Sequence, residues 1–112
     1  MKRAQEPSNV DYFAAARARF EEMLREVGGA GAPEHHAEIE EQIESMGRDV
    51  HRLVLQGRLT EMFAQEADQF RRLRPPGEIR VRARGLESPF GRVVVRRHGI
   101  RRAGEASSWF PL

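Results

Sequence analysis

The sequence predicts an α+β fold in which a helical hairpin of two long helices is followed by a small antiparallel β-hairpin or sheet. Three observations lead to this prediction. Apolar residues recur at spacings of three and four through most of the first 73 residues, which is the period of an amphipathic helix. The run Pro75-Pro76-Gly77 ends the helical pattern. From Glu78 onward apolar residues alternate with arginines, which is the period of a strand.

The first helix is predicted from a start signal and an apolar face. Ser8 with Asp11 three residues later resembles a capping box. Gly28 and Gly29 end the pattern, and GGAGAP forms a short link. The apolar positions of this helix are Val10, Phe13, Phe20, Leu24 and Val27.

The second helix is predicted to begin with Pro33 in its first turn. Its apolar stripe shifts phase near Gly57, and glycine costs about 1 kcal/mol in a helix interior, so we expect a kink or a break there. Two helices do not supply enough apolar cover for the seam between them, and a homodimer or a larger complex is the natural solution. The predicted contact residues are Phe13, Phe20, Leu24, Ile39, Ile43, Val50, Leu53, Trp109 and Phe110.

The strands are predicted on either side of the turn LESPFG. The first covers Glu78–Arg84, with Leu86 to Phe90 as a possible extension, and the second covers Arg92–Arg97. A third short segment lies between Gly99 and Gly104. Alternation places apolar side chains on one face of the first strand and guanidinium groups on the other. So small a sheet must pack on the helices or on a partner. The predicted organisation is a disordered N-terminus over 1–7, a helical body over 8–74, and a basic β element over 78–112 with a loose C-terminal tail.

Charge is distributed unevenly along the chain of 112 residues. Residues 1–74 carry 11 basic and 14 acidic side chains, whereas residues 75–112 carry 8 arginines and 3 acids. Guanidinium groups on one strand face can bind phosphates or guanine edges, which predicts contact with DNA. The same arginines could instead reflect a GC-rich coding bias or protect an edge strand from aggregation. The candidate DNA-binding residues are Arg80, Arg82, Arg84, Arg96, Arg97 and Arg101.

No catalytic, metal or cofactor site is predicted. The chain has no cysteine, so it lacks a thiol nucleophile and a cysteine-based zinc site. Adjacent His35 and His36 point about 100° apart on a helix and have no partner at the spacing that a metal requires. Trp109 and Phe110 could stack on bases or anchor a partner. The apolar runs are too short to span a membrane and the N-terminus is not a signal peptide, so a cytoplasmic location is expected.

Several stretches, in order, resemble the N-terminal region of bacterial ISKra-type insertion-sequence transposases. The family's "IE..GR....LLQ..L" stretch is matched by Ile43-Glu44, Gly47-Arg48, Leu53 to Gln56 and Leu59. Its "T.FG.V.V.R" signature and the following "PLD" segment are matched by Phe90-Gly91, Val93, Val95, Arg97 and Pro111-Leu112. The resemblance covers roughly residues 14–112.

The resemblance implies a DNA-related module without catalytic activity. Transposases of this family cut DNA with a separate domain that holds two metals with three carboxylates, and none of that domain lies within this chain. The expected function is binding to the DNA backbone, with self-association through the helices and association with the nucleoid. The alternative is a protein-interaction module that docks onto a larger transposase, nuclease or regulatory partner.

Overall fold

The computed structural model describes residues 10–73, 77–101 and 108–109. Two helices precede an antiparallel sheet, which confirms the predicted α+β fold. The elements are α1 (Tyr12–Gly28), α2 (His36–Leu73), β1 (Glu78–Ser88), β2 (Gly91–Arg101) and β3 (Ser108–Trp109). No helix in the described part of the chain is both long and apolar enough to cross a membrane.

Helix α1 begins later than the sequence pattern indicates. Its N-cap is Asp11, whose Oδ1 accepts a hydrogen bond of 3.0 Å from the N–H of Ala14. Asp11 is therefore the capping residue itself, and not the acidic partner of a cap at Ser8, a position that lies outside the described residues. The helix ends at Gly28, as predicted from the glycine pair.

Helix α2 runs without interruption from His36 to Leu73. It begins after Pro33, so the expectation of Pro33 in the first turn is wrong. We expected a kink or a break at Gly57, and the helix is not broken there. Gly57 is buried, and a Cβ added there would lie only 2.9 Å from Cζ of Phe13. The glycine thus permits the close approach of an aromatic ring.

The chain divides into two compact units, and the division falls inside α2. The first unit, which we call the helical hairpin, comprises α1 and α2 as far as Gly57; the second, which we call the ribbon unit, comprises α2 from Arg58 together with the strands. The sequence pattern assigns all helical residues to one body. The difference arises because the second half of α2 packs with β2.

Strands β1 and β2 form a long two-stranded antiparallel hairpin, which we call the ribbon. Its register runs from Glu78 opposite Arg101 to Ser88 opposite Gly91, so both strands are longer than predicted. Ser88 Oγ accepts a hydrogen bond from the N–H of Phe90 and donates one to the carbonyl of Gly91, which fixes the two-residue turn. Gly91 has a φ of 122°, a conformation that favours glycine.

The predicted third segment differs from the structure. Ile100 belongs to β2, and the short strand β3 pairs with β2 through Trp109 opposite Gly99 and Ser108 opposite Ile100. Phe110 lies outside the described residues. The sheet order is β1-β2-β3, so β1 is an outer strand.

Candidate nucleic-acid interface on the ribbon

The register assigns the candidate arginines to the two faces of the ribbon. Directly opposite residues of an antiparallel pair share a face. Arg80, Arg82 and Arg84, which we call the arginine row, lie on one face of β1. Arg97 is the register partner of Arg82 and shares that face, whereas Arg96 pairs with Ala83 and lies on the other. The backbone of Arg101 pairs with Glu78.

The arginine row is accessible to a large ligand. Every residue of Glu78–Arg84 is exposed. Arg80 Nη2 lies 3.2 Å from Glu78 Oε1 in an exposed ion pair, which solvent weakens. The row therefore presents guanidinium groups along one face of an outer strand.

The core of the ribbon unit uses different residues from the ones that alternation in β1 suggests. Ile79, Val81 and Ala83, which we call the apolar row, are exposed, with Ile79 48% and Val81 56% accessible. The buried valines are Val93 and Val95 in β2, which are 1% and 6% accessible. Val95 is the register partner of Arg84, so the buried valines share the face of the arginine row.

The side chain of Arg97 is largely covered within the ribbon unit. Its side chain is 18% accessible, and its Nε lies 4.0 Å from Glu66 Oε2. Its Nη2 is buried and makes no hydrogen bond among the described residues. A small cavity of about 40 Å³ lies beside it, lined by α2 and β2 side chains that include Phe63 and Val95. Arg97 is thus less accessible to DNA than the arginine row.

A buried polar cluster joins α2 to β2, and the sequence pattern does not identify it. Glu66 Oε1 accepts a hydrogen bond of 2.6 Å from the backbone N–H of His98 and lies 2.6 Å from His98 Nδ1. The ring of His98 stacks on Phe63 with centroids 4.3 Å apart, and Phe70 lies 5.3 Å away. The one signal in the sequence is the spacing of Phe63, Glu66 and Phe70, which places them on one face of α2.

The helical hairpin leaves large apolar side chains exposed. Phe20, Leu24, Ile43 and Val54, which we call the apolar strip, are each more than 40% accessible. An open groove of about 300 Å³ lies between the helices and is lined by Phe13, Ala16, Arg17, Phe20, Val50 and Val54. Among the other predicted contact residues, Ile39 and Leu53 are half-buried.

Ionic contacts link the same two helices. Between the helices, Arg19 Nη2 lies 2.9 Å from Asp49 Oδ2, and within α1 its Nη1 lies 2.6 Å from Glu22 Oε1. The hydrogen bond to Glu22, and to a smaller extent the one to Asp49, raises the pKa of Arg19 above its ordinary value. Gln42 Nε2 donates to Glu26 Oε1 over 3.3 Å. The interhelical contacts therefore combine an apolar groove with a partly exposed polar ladder.

The histidines form no metal centre in the described residues, where no group of three or more metal-ligating side chains occurs. His36 Nε2 lies 3.0 Å from Glu40 Oε2 in an exposed pair, and His98 belongs to the buried cluster.

No family model, no curated protein and no solved structure matches this chain. The resemblance to transposases stays a prediction from the sequence.

Proposed function

We propose that this protein is a non-catalytic DNA-binding module that contacts the phosphate backbone through the arginine row. The supporting observation is the exposure of Arg80, Arg82 and Arg84 on one face of a long antiparallel ribbon. A two-stranded ribbon fits into the major groove of B-DNA, and guanidinium groups pair with phosphate oxygens in a forked geometry. Because the row is exposed, whereas Arg96 and Arg97 are half-buried, the row makes the main contacts and those two arginines have minor roles.

The test is the fluorescence anisotropy of labelled duplex DNA across a salt series. Replacing the arginine row by glutamine should weaken binding and reduce the slope of log K against log salt by about 3, since each lost phosphate contact removes roughly one unit. The matched control replaces Arg48, Arg58 and Arg71 by glutamine, because these are exposed arginines on α2 and the change in net charge is the same. Equal losses in the two triple variants would contradict the proposal.

We also propose that two copies of the chain associate through the apolar strip. Burying apolar area stabilises association by about 25 cal/mol per Å² before entropic costs, and Phe20, Leu24, Ile43 and Val54 are the largest exposed apolar residues of the hairpin. Leu24→Glu should shift the protein toward monomer in sedimentation velocity. Ala18→Glu changes another exposed position of α1 by the same charge and should leave association unchanged.

A second candidate function is docking onto a larger protein partner, which is favoured by the exposed apolar row of β1. Under this alternative the chain binds no bare DNA at low salt, and capture of the partner depends on Trp109 and Phe110. The salt series on labelled duplex DNA distinguishes the two functions.

A further inference from the structure

The outer edge of β1 is open to another strand. Among the described residues β1 pairs with β2 alone. It is 11 residues long, whereas proteins commonly protect outer strands by making them short, covering them or interrupting them. The N–H and C=O groups on its outer side, which pair with no described strand, can pair with an added chain.

The buried cluster identifies which backbone groups point outward. In a hydrogen-bonded antiparallel pair, each residue donates its N–H to the other. The N–H of His98 instead donates to Glu66 Oε1, so His98 and its register partner Val81 form a non-hydrogen-bonded pair. The N–H and C=O of Val81 therefore point away from β2. The two-residue turn agrees, because the register partners Ser88 and Gly91 flank it, and the pair that flanks such a turn is ordinarily hydrogen-bonded.

The alternation of pairs extends this assignment along β1. Residues at odd positions, which include the whole apolar row, direct their backbone groups to the open edge. The arginine row occupies the even positions between them. An antiparallel strand added at this edge would bond to the apolar row and would meet the arginine row at non-hydrogen-bonded pairs, where opposing side chains are closest.

The side chains at the edge select the chemistry of the added strand. Opposite charges in facing positions stabilise a sheet and like charges destabilise it. Carboxylates are thus favoured beside Arg80, Arg82 and Arg84, and apolar side chains beside Ile79 and Val81, which are exposed.

A second copy of β1 does not meet this requirement. Because both copies expose backbone groups at odd positions, odd residues would pair with odd and even with even. If the full strands paired, with Glu78 of one copy opposite Ser88 of the other, Arg82 of each copy would lie beside Arg84 of the other copy. This repulsion disfavours self-pairing at the edge.

We propose that the open edge of β1 binds an extended acidic segment of another protein as an additional antiparallel strand. The segment alternates carboxylate and apolar side chains, with the carboxylates beside the arginine row. Main-chain hydrogen bonds supply affinity and the alternate side chains supply specificity. The interaction goes beyond DNA binding because it requires the backbone of the apolar row, which a phosphate contact from the arginine side chains does not.

The test uses a short labelled peptide in which valine and glutamate alternate, with anisotropy as the measurement. Methylating the valine amides of the peptide removes the donors that face β1 and should weaken binding about tenfold or more. Methylating the glutamate amides, which point away from β1, is the matched control and should have a much smaller effect. A peptide of the same composition with contiguous glutamates should also bind more weakly.

In the protein, Val81→Pro removes the outward N–H and should abolish peptide binding. Val81→Thr retains this N–H and should retain peptide binding. An outer strand tolerates proline where its N–H faces solvent, and the protection of β2 amides from hydrogen exchange verifies the fold. DNA binding should survive Val81→Pro because the arginine row is unchanged. Equal effects of the two methylated peptides, or equal binding of the contiguous peptide, would overturn edge pairing while leaving the DNA proposal intact. If the chain binds DNA but none of the peptides, the inference fails and the proposed function stands.

Discussion

The ribbon unit buries aromatic and branched side chains, whereas the helical hairpin buries a mixture of a small, a flexible apolar and a polar side chain. The most buried hairpin side chains are Ala16, Met46 and Gln56, and the apolar strip stays exposed. The ribbon unit buries Phe70 and the valines of β2 around His98. Both units leave other large apolar side chains exposed, such as Leu24 in the hairpin and Val81 in the ribbon unit. The ribbon unit differs in that it also encloses an aromatic cluster around His98.

The polar contacts of the two units differ in the same sense. The Arg19–Asp49 pair of the hairpin is partly exposed, and such pairs contribute little because water and salt screen them. Glu66 and His98 are nearly inaccessible, and a buried donor that loses its acceptor is costly. Substitutions of comparable chemistry should therefore act strongly in the ribbon unit and weakly in the hairpin.

The largest effect is expected from Phe70→Ala. The side chain is 2% accessible, and truncating a buried phenylalanine lowers the free energy of unfolding by about 3–5 kcal/mol. Urea denaturation measures the change. Leu73→Ala is the control on the same helix, since Leu73 is 70% accessible and should change stability by about 0.5 kcal/mol or less. Similar losses in both variants would mean that α2 does not bury Phe70 against β2.

Next in size is Glu66→Ala. It leaves the buried N–H of His98 without its acceptor, and hydrogen bonds to a charged group are worth about 1.5–3 kcal/mol. Chemical denaturation gives the loss of stability, and exchange of the His98 amide should accelerate. Glu61→Ala serves as the control because Glu61 lies on the same helix and forms an exposed ion pair with Arg58. An unchanged exchange rate of the His98 amide would show that Glu66 does not accept its hydrogen bond.

The helices, the ribbon and the arginine row were predictable because their information is local. The spacing of apolar residues among near neighbours in the sequence shows the periods of 3.6 for a helix and 2 for a strand, and the turn between the strands contains proline and glycine. The length of the strands was not predictable from β1 alone, since pairing beyond Arg84 depends on residues of β2. The burial of Arg97 also depends on a distant residue, Glu66, which lies on another element.

Two local signals were ambiguous for a physical reason. Ser8 and Asp11 are both good N-caps, so composition alone does not decide which one begins α1. Gly57 could break a helix or admit a close neighbour, and the neighbour is Phe13 on the other helix. Only the tertiary structure distinguishes a weak point of a helix from a contact point.

The two interior glycines of α2 provide a smaller and sharper test within the hairpin. A Cβ at Gly47 meets nothing within 4 Å, whereas at Gly57 it approaches Phe13 Cζ to 2.9 Å. Gly47→Ala should stabilise the protein by up to about 1 kcal/mol through helix propensity. The free energy of unfolding of Gly57→Ala should be about 1–3 kcal/mol lower than that of Gly47→Ala, because the ring of Phe13 must move. Thermal unfolding of both variants gives the difference, and equal stabilisation would show that Phe13 does not pack on Gly57.

The smallest effect is expected at the Arg19–Asp49 pair, because solvent reaches both side chains. Arg19→Gln and Asp49→Asn should each lower the melting temperature slightly, and the double variant should lose less than the sum of the two, since the partners act together. Raising the salt concentration should shrink this coupling, because charges at an accessible surface are screened within about 10 Å at 0.1 M salt. Arg25→Gln is the control, as Arg25 is an exposed residue in the last turn of the same helix. The contrast between the units would be reversed if the coupling energy persisted in high salt and exceeded the loss of stability in Glu66→Ala. The hairpin would then depend on its polar contacts more than the ribbon unit depends on its buried cluster.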